Sequence, residues 1–502
     1  MGIFHSKIHL KKVSMSHQEK MQKLSQPDDQ NGIFTAGSGP SNVESPPKIF
    51  KLSIDCFDEI FEYLNLKDLH SFGQTCKRMN KVTGEYFKQN YSALQIISGR
   101  DGIHTDFSNN DVFGETFNIF GNFEKTKISG FNQFITTINV HSYLSPLRNI
   151  KPYIEEFVSI NSVSINNTTI APMFFNCFSK MLAKIETLDI YYCNSNDIYE
   201  GILKFCIKLK RLYVTNSELD QIYCARNGKS RWLFQRFPKL EHFELIPKNE
   251  LVINELNSFL ELNKSISTFS TSANCLWHNR HAFRNSEKAL HILEVKFVHP
   301  IGSDGPSMQL IFNLINELYD QGFYKRLHLY VASVDEEINV LAASTKNLDK
   351  LCIKLFDYAN QTLPVSVKEL VILEYNKEMT IAQSANYIAV NPMEMLANEL
   401  TNLQRLYMVN ASFDDILPFI RKSTQLKKIK LLHKDGFDSR VDALKLRTLN
   451  LQREQLFGAR KVTIYVRDKV FEKTKWTTTN GVTDLSLIEV KRSDSYEWKQ
   501  HF

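Results

Sequence analysis

Beyond residue 130 the apolar positions fall into a short unit, hydrophobic-x-x-hydrophobic-x-hydrophobic, as at Ile185, Leu188 and Ile190 and again at Leu209, Leu212 and Val214. The alternation at the end of the unit predicts a brief strand with one apolar face. Its first position recurs at Ile135, Ile160, Ile185 and Leu209, spacings of 25, 25 and 24 residues. Further copies begin at Leu240, Ile266, Leu290, Tyr324, Leu348, Val367, Leu403, Leu426, Ala459 and Leu485, giving 14 candidates. Between strands the period changes to that of a helix. Ile198, Ile202, Leu203 and Cys206 follow an Asn/Asp cap, and Phe413, Ile416, Phe419 and Ile420 repeat the spacing before Leu426. A strand-plus-helix unit of ~25 residues cannot bury its apolar side alone, so neighbouring units must stack. The predicted class is α/β: a curved solenoid with parallel strands on the concave face and helices on the convex face. Intervals of 31, 34, 36 and 33 residues mark longer insertions.

Upstream the pattern differs. Phe57, Ile60, Phe61 and Leu64 recur at i, i+3, i+4 and i+7, which sets four apolar side chains on one face of a helix too short to be stable alone. Ser53 or Asp55 can cap its start, because a short oxygen-bearing side chain accepts from the unsatisfied first-turn amides. Asn65 marks a break. Leu69, Phe72, Cys76, Met79 and Val82 then continue an apolar stripe through two further helical stretches, separated near Gly73. Three helices in roughly 40 residues carry more apolar surface than they can bury among themselves, so part of it must face a partner.

Leu52, Ile60, Phe61, Tyr63, Leu64, Asp68, Leu69, Cys76 and Lys77 stand in the order and spacing of an F-box, and the stretch resembles that family. Ser53 replaces the usual Pro, and Met79 sits where the family most often has Trp. The downstream period resembles leucine-rich repeats, of the irregular cysteine-containing class found in F-box proteins; the regular asparagine is largely absent, and Cys193 occupies a polar strand-end position. Five segments are expected: a disordered tail at 1–45, a three-helix F-box at 46–91, a linker at 92–130 leading into the solenoid, repeats at 131–492, and a tail at 493–502. The resemblance implies a substrate-recognition subunit of an SCF-type (Skp-cullin-F-box) ubiquitin ligase, a non-catalytic part of ubiquitin-dependent protein degradation. The F-box would bind the Skp adaptor, and through it the cullin and RING subunits, while the repeats hold the target protein. Adaptor contacts are expected at Leu52, Ile60, Leu64, Leu66 and Leu69, with Phe57 and Phe61 shared between partner and internal core. A repeat scaffold that acts outside any ligase is the alternative.

Composition narrows the field. At 502 residues the chain is too long for one compact core, and 43% hydrophobic with 23% charged residues is an ordinary soluble balance. No apolar run approaches the ~18 residues of a membrane span, and no signal peptide opens the chain. Its eight cysteines, at 56, 76, 177, 193, 206, 224, 275 and 352, include no Cys-x-x-Cys pair, which predicts buried thiols in a reducing compartment, cytoplasmic and/or nuclear. Met1, Gly2 and Ser6 fit the N-myristoylation pattern, with Lys7, Lys11 and Lys12 close behind. An acyl chain on Gly2 would add weak membrane association. Phosphate-loop, zinc-protease, nucleophile-elbow and dinucleotide motifs are all missing, so neither catalytic residues nor cofactors are expected. His278 and His281, near Trp277, lack a further ligand at suitable spacing, so no metal is expected there.

Charge is unevenly spread. Between Arg421 and Lys475 there are 16 Lys/Arg against 6 Asp/Glu, a net +10, whereas the whole chain carries +6. Residues between the apolar strand positions face the concave side. Lys427, Lys428 and Lys430 of one repeat, Arg460 and Lys461 of another, and Arg405 and Tyr407 before them therefore form a candidate surface for an acidic or phosphorylated protein segment. Aromatic interleaving is too sparse to expect nucleic acid.

Overall fold

The computed structural model describes residues 52, 57, 60–61, 64, 66–91, 93–99, 102–108, 116–119, 133, 135–142, 158–166, 173–191, 196–217, 231–247, 253, 255–297, 306–333, 336–356, 366–375, 392–409, 411–432, 443–466, 470–471, 473–475 and 482–492. The amino-terminal tail with Gly2, and the carboxy-terminal tail, lie outside the described residues.

In the amino-terminal region Phe57, Ile60 and Phe61 are helical, and two further helices span Leu66–Gly73 and Lys77–Tyr91. Aromatic rings knit them. Phe61 lies 5.8 Å from Phe57, 5.6 Å from Phe72 and 5.2 Å from Tyr86, the last two edge to face. Gly73 ends the first of the two helices, at the separation the sequence predicts. Its lack of a side chain matters, because a Cβ there would meet Thr83 Oγ1 at 2.5 Å. Thr83 cannot give easily, being buried with its hydroxyl donating to the Met79 carbonyl at 2.8 Å.

The sheet begins at β1 (Ala93–Gly99), inside the segment expected to be a linker. β2 (Gly102–Ser108) pairs antiparallel with β1, and β3 (Thr116–Ile119) antiparallel with β2. The repeat period does not predict these strands, because successive antiparallel strands lack its strand-helix alternation. β4 (Thr137–Ser142) joins the other side of β1 in parallel. From there the strands are β5 (Ser162–Asn166), β6 (Thr187–Tyr191), β7 (Arg211–Ser217), β8 (His242–Pro247), β9 (Thr268–Ser272), β10 (Leu290–Phe297), β11 (Tyr324–Ser333), β12 (Leu348–Phe356), β13 (Glu369–Tyr375), β14 (Arg405–Val409), β15 (Lys428–Leu432), β16 (Val462–Val466) and β17 (Ile488–Arg492). Each pairs in parallel with the next in sequence. All 14 positions expected to open a repeat sit zero to three residues ahead of a strand from β4 to β17.

Alternate strand residues build the core. Leu188 and Ile190, Leu212 and Val214, Phe243 and Leu245, and Leu293 and Val295 are buried against the helices. The helix Met308–Asp320 answers with Ile311, Phe312, Leu314, Ile315 and Leu318. A seam of rings at Phe259, Phe243, Phe269, Phe283 and Phe323 runs through four elements to the bend before β11, with successive centroids 4.6, 5.7, 5.6 and 5.6 Å apart. Buried side chains also tie one repeat's backbone to the next. Asn263 accepts from the Phe237 amide at 2.6 Å and donates to the Phe259 carbonyl at 2.9 Å; Asn279 does the same for Ile253 and Cys275. Helix Phe413–Lys422 starts at Ser412, whose amide and hydroxyl both donate to the Asp415 carboxylate, at 2.6 and 2.7 Å.

Cys206, Cys275 and Cys352 are buried free thiols, and Cys76 is half-buried; the side chains of the other four cysteines lie outside the described residues. Burial pushes the Cys206 and Cys352 thiols up to about 12 and Cys275 to about 11, so they are inert packing groups. No helix among the described residues is long and apolar enough to cross a membrane.

Candidate functional site

Two surfaces carry the candidate residues. On the amino-terminal helices Ile60 is 37% exposed, while Leu52 and Leu64 are half-buried. Phe57, Phe61 and Leu69 are buried to 1% exposure or less, so Leu69 belongs to the internal core with the two phenylalanines. That corrects the expectation of Leu69 as a contact residue: its position faces the Lys77–Tyr91 helix, where Met79, Val82 and Tyr86 are also buried. The Leu66 side chain lies outside the described residues.

The second surface is the concave strand face, where parallel pairing sets side chains in rows. In one row Asp189 of β6, Tyr213 of β7, Glu244 of β8, Ser270 of β9 and Glu294 of β10 are neighbours in register. The same row continues through His328 of β11, Lys350 of β12, Glu369 of β13, Arg405 of β14 and Lys428 of β15. Its first half is acidic, and its second half is largely basic.

Hydrogen bonds fix the acidic half. Glu244 accepts from Lys296 Nζ at 2.6 Å, Ser270 Oγ at 2.9 Å and Thr215 Oγ1 at 3.2 Å. His328 Nδ1 donates to Glu294 at 3.0 Å, and Ser164 Oγ to Asp189 at 3.2 Å. Burial raises the Asp189 carboxyl to about 6, the charge of Glu244 adds to this, and Ser164 and Lys296 only partly offset it. Burial pushes Glu294 upward too, yet the hydrogen bond and charge of His328, with His242 and Lys296, carry it down to about 2. The His242 ring lies 4.9 Å from that of Tyr213, and burial lowers its affinity for a proton. Three carboxylates thus share one lysine and two imidazoles.

In the basic half Arg405 is exposed and pairs with Glu369 at 3.2 Å, while Lys428 lies over the Tyr465 ring at 4.5 Å. Lys350, 2% exposed, also pairs with Glu369, at 3.3 Å. Tyr407 and Lys430 depart from expectation. They stand in register with each other one row over, but Lys430 is 0% exposed and Tyr407 packs with Cys352, Val371 and Val409 in a small apolar cluster on this face. Neither is presented to solvent. Lys427, Arg460 and Lys461 are exposed but precede their strands, so they line the strand entrance rather than the sheet face; Lys461 pairs with Asp484.

Asp189, Glu244, Glu294, Lys296, His328 and Lys350 were missed as site residues. They occupy the same between-apolar strand positions that singled out Arg405 and Lys428, and applying that rule to every repeat finds them. Local charge excess does not, since opposite charges in this network balance.

A family model described as the F-box domain matches residues 49–89. Among solved structures, the leucine-rich repeat-containing protein LegL7 from Legionella pneumophila is similar at a TM-score of 0.37 and 14% identity, over 64% of this chain and 98% of that one. A search of curated proteins gives no match. Residues 49–89 match the F-box domain model, and the fourteen strand-led units that follow β1 to β3 form the stacked parallel array that the repeat period predicts.

Proposed function

We propose that this chain is the substrate-recognition subunit of an SCF-type ubiquitin ligase. The observation that carries the reading is the union of an F-box match with a long strand face whose polar groups are held in ordered rows. The F-box, through Ile60, Leu52, Leu64 and Leu66, engages the Skp adaptor and through it the cullin and RING subunits. The concave face engages the protein to be ubiquitinated. Catalysis by this chain is unnecessary, because holding a substrate lysine near a charged conjugating enzyme raises its effective concentration. The exposed cations Arg405, Lys427, Arg460 and Lys461 favour an acidic or phosphorylated target segment. The free, buried thiols suit the reducing cytoplasm or nucleus, and acylation of Gly2 would place a fraction of the protein at membranes.

Co-purification tests this. The intact chain should bring down the Skp adaptor and cullin, and Ile60→Asp with Leu64→Asp should lose both while the repeats keep their circular dichroism. Failure of the intact chain to recover the adaptor refutes the F-box role; recovery of adaptor without cullin leaves the scaffold alternative. Mass spectrometry of the amino terminus decides Gly2, since an unmodified glycine ends the acylation idea.

A further inference from the structure

Strands β8 to β10 bring one imidazole and two carboxylates to a single point of the concave face. His242 and Glu244 leave the same side of β8, two residues apart, and Glu294 reaches toward them from β10. Between them stands Ser270 of β9, in register with both glutamates and short enough for them to meet across it. One donor atom from each of the three lies within 4.8 Å of the others. We propose that His242, Glu244 and Glu294 form a binding site for a divalent metal ion of the zinc class.

Three features point to a cation rather than to a closed hydrogen-bond network. The Nε2 atom of His242 is buried and has no hydrogen-bond partner among the described residues. In a folded interior such a nitrogen normally has a partner, protein, water or ion. Second, each glutamate is steadied from behind, as metal-binding carboxylates are: Glu244 Oε1 by Thr215 at 3.2 Å and Glu294 Oε1 by His328 at 3.0 Å. Third, a cation already stands on the site, for Lys296 Nζ sits 2.6 Å from Glu244 Oε2. A metal would compete with that ammonium, which from the same position also lies 5.4 Å from the centroid of the Tyr330 ring.

The donor chemistry selects the class. An imidazole with two carboxylates suits zinc, whereas calcium and magnesium favour oxygen-only sets. Zinc bonds of about 2.0–2.2 Å require the donors to close by roughly 1 Å, a side-chain adjustment that leaves the strands in place. Three protein donors leave a fourth position for water or, on the reading that this face holds a partner, for a donor from the bound protein.

The test uses the metal-stripped full-length chain and cobalt(II), whose visible absorption reports low-coordinate nitrogen and oxygen ligation, with zinc as competitor. One equivalent should bind and be displaced by zinc. His242→Asn and Glu294→Gln should each weaken binding by more than the roughly 10- to 100-fold that loss of an outer partner costs. Lys296→Met, which removes the competing charge and keeps the stem, should tighten it. That gain cannot arise from misfolding, so the proposal stays testable if a donor variant unfolds. It is overturned if no stoichiometric cobalt spectrum forms, if the spectrum survives both donor variants unchanged, or if Lys296→Met weakens binding.

Discussion

Replacing Arg453 by Met should loosen the last repeats far more than loss of any surface arginine. Arg453 is the largest fully buried side chain among the described residues, and its five N–H groups all end on backbone carbonyls. Nε donates to Arg460 at 3.1 Å, Nη1 to Ile420 at 3.1 Å and Ser423 at 2.8 Å, and Nη2 to Thr424 and Leu426 at 3.1 Å each. Several of these carbonyls lie at and just past the end of helix Phe413–Lys422, where intrahelical donors run out. Burial lowers the guanidinium to about 10, which still leaves it charged at neutral pH. In the Met variant the Ser423 and Thr424 carbonyls keep the Leu426 and Arg460 amides. Those of Ile420, Leu426 and Arg460 lose the donor that Arg453 supplies. At about 1–3 kcal/mol for each stranded carbonyl, less the relief of no longer burying a charge, the net loss is about 3 kcal/mol.

A loss of that size is about a hundredfold in the local opening equilibrium. Hydrogen exchange read by mass spectrometry should show it in the amides of Phe413–Lys422, β15 and β16 while β6 to β10 stay protected. Arg453→Lys should fall between, because an ammonium has three donors for five acceptors. Arg447→Met, on the exposed side of the same helix, is the control. Exchange in the Arg453→Met protein indistinguishable from that control would refute the keystone role.

Three further outcomes follow from the same geometry. Asp189→Asn should stabilise the solenoid at pH 7.5 but not at pH 4. A carboxyl whose folded value of about 6 exceeds its ordinary 3.8 contributes stability below 3.8 and loses it as pH rises through 6. A gain of up to about 3 kcal/mol in urea titrations is expected, and a pH-independent difference would contradict the cause. Glu369→Ala should cost about 3 kcal/mol by stripping buried Lys350 of its carboxylate, and Lys350→Met should cost less; the reverse ranking in the same titrations would count against that pairing. Gly73→Ala should lower the thermal midpoint of the amino-terminal helices by forcing Thr83 aside, and Thr83→Ala in the same chain should recover part of the loss.

The repeat architecture was legible because its signal is periodic. The apolar triplet of Leu188 and Ile190 after Ile185 recurs often enough that weak copies, such as the one at Ala459, are carried by their neighbours. β1 to β3 are illegible for the opposite reason, since three antiparallel strands in succession carry no strand-helix period to repeat. The candidate face was half-legible. Sequence tells which residues leave the concave side but not how far neighbouring strands bury them: Lys428 and Lys430 are two residues apart on one strand, yet Lys428 is partly exposed over Tyr465 and Lys430 is fully enclosed. Leu69 and Tyr407 were misplaced in the same way. Both have the right residue type in the right periodic position, and the density of the surroundings decided their roles.

On the proposed reading that this face holds the target, the internal pairing of the concave charges changes what recognition must mean. Arg405 holds Glu369, Lys461 holds Asp484, and Lys296 holds Glu244. An acidic segment arriving at these cations exchanges one carboxylate for another, and so gains little Coulomb energy from simple charge attraction. What it can gain is geometry, for a phosphate offers more acceptor oxygens than the carboxylate it displaces and can engage Arg405 in two parallel bonds. The freed Glu369 would still have buried Lys350 to hold. Selectivity at such a surface comes from matching the row of side chains rather than from net charge. Its salt dependence should therefore be shallower than a local excess of +10 suggests.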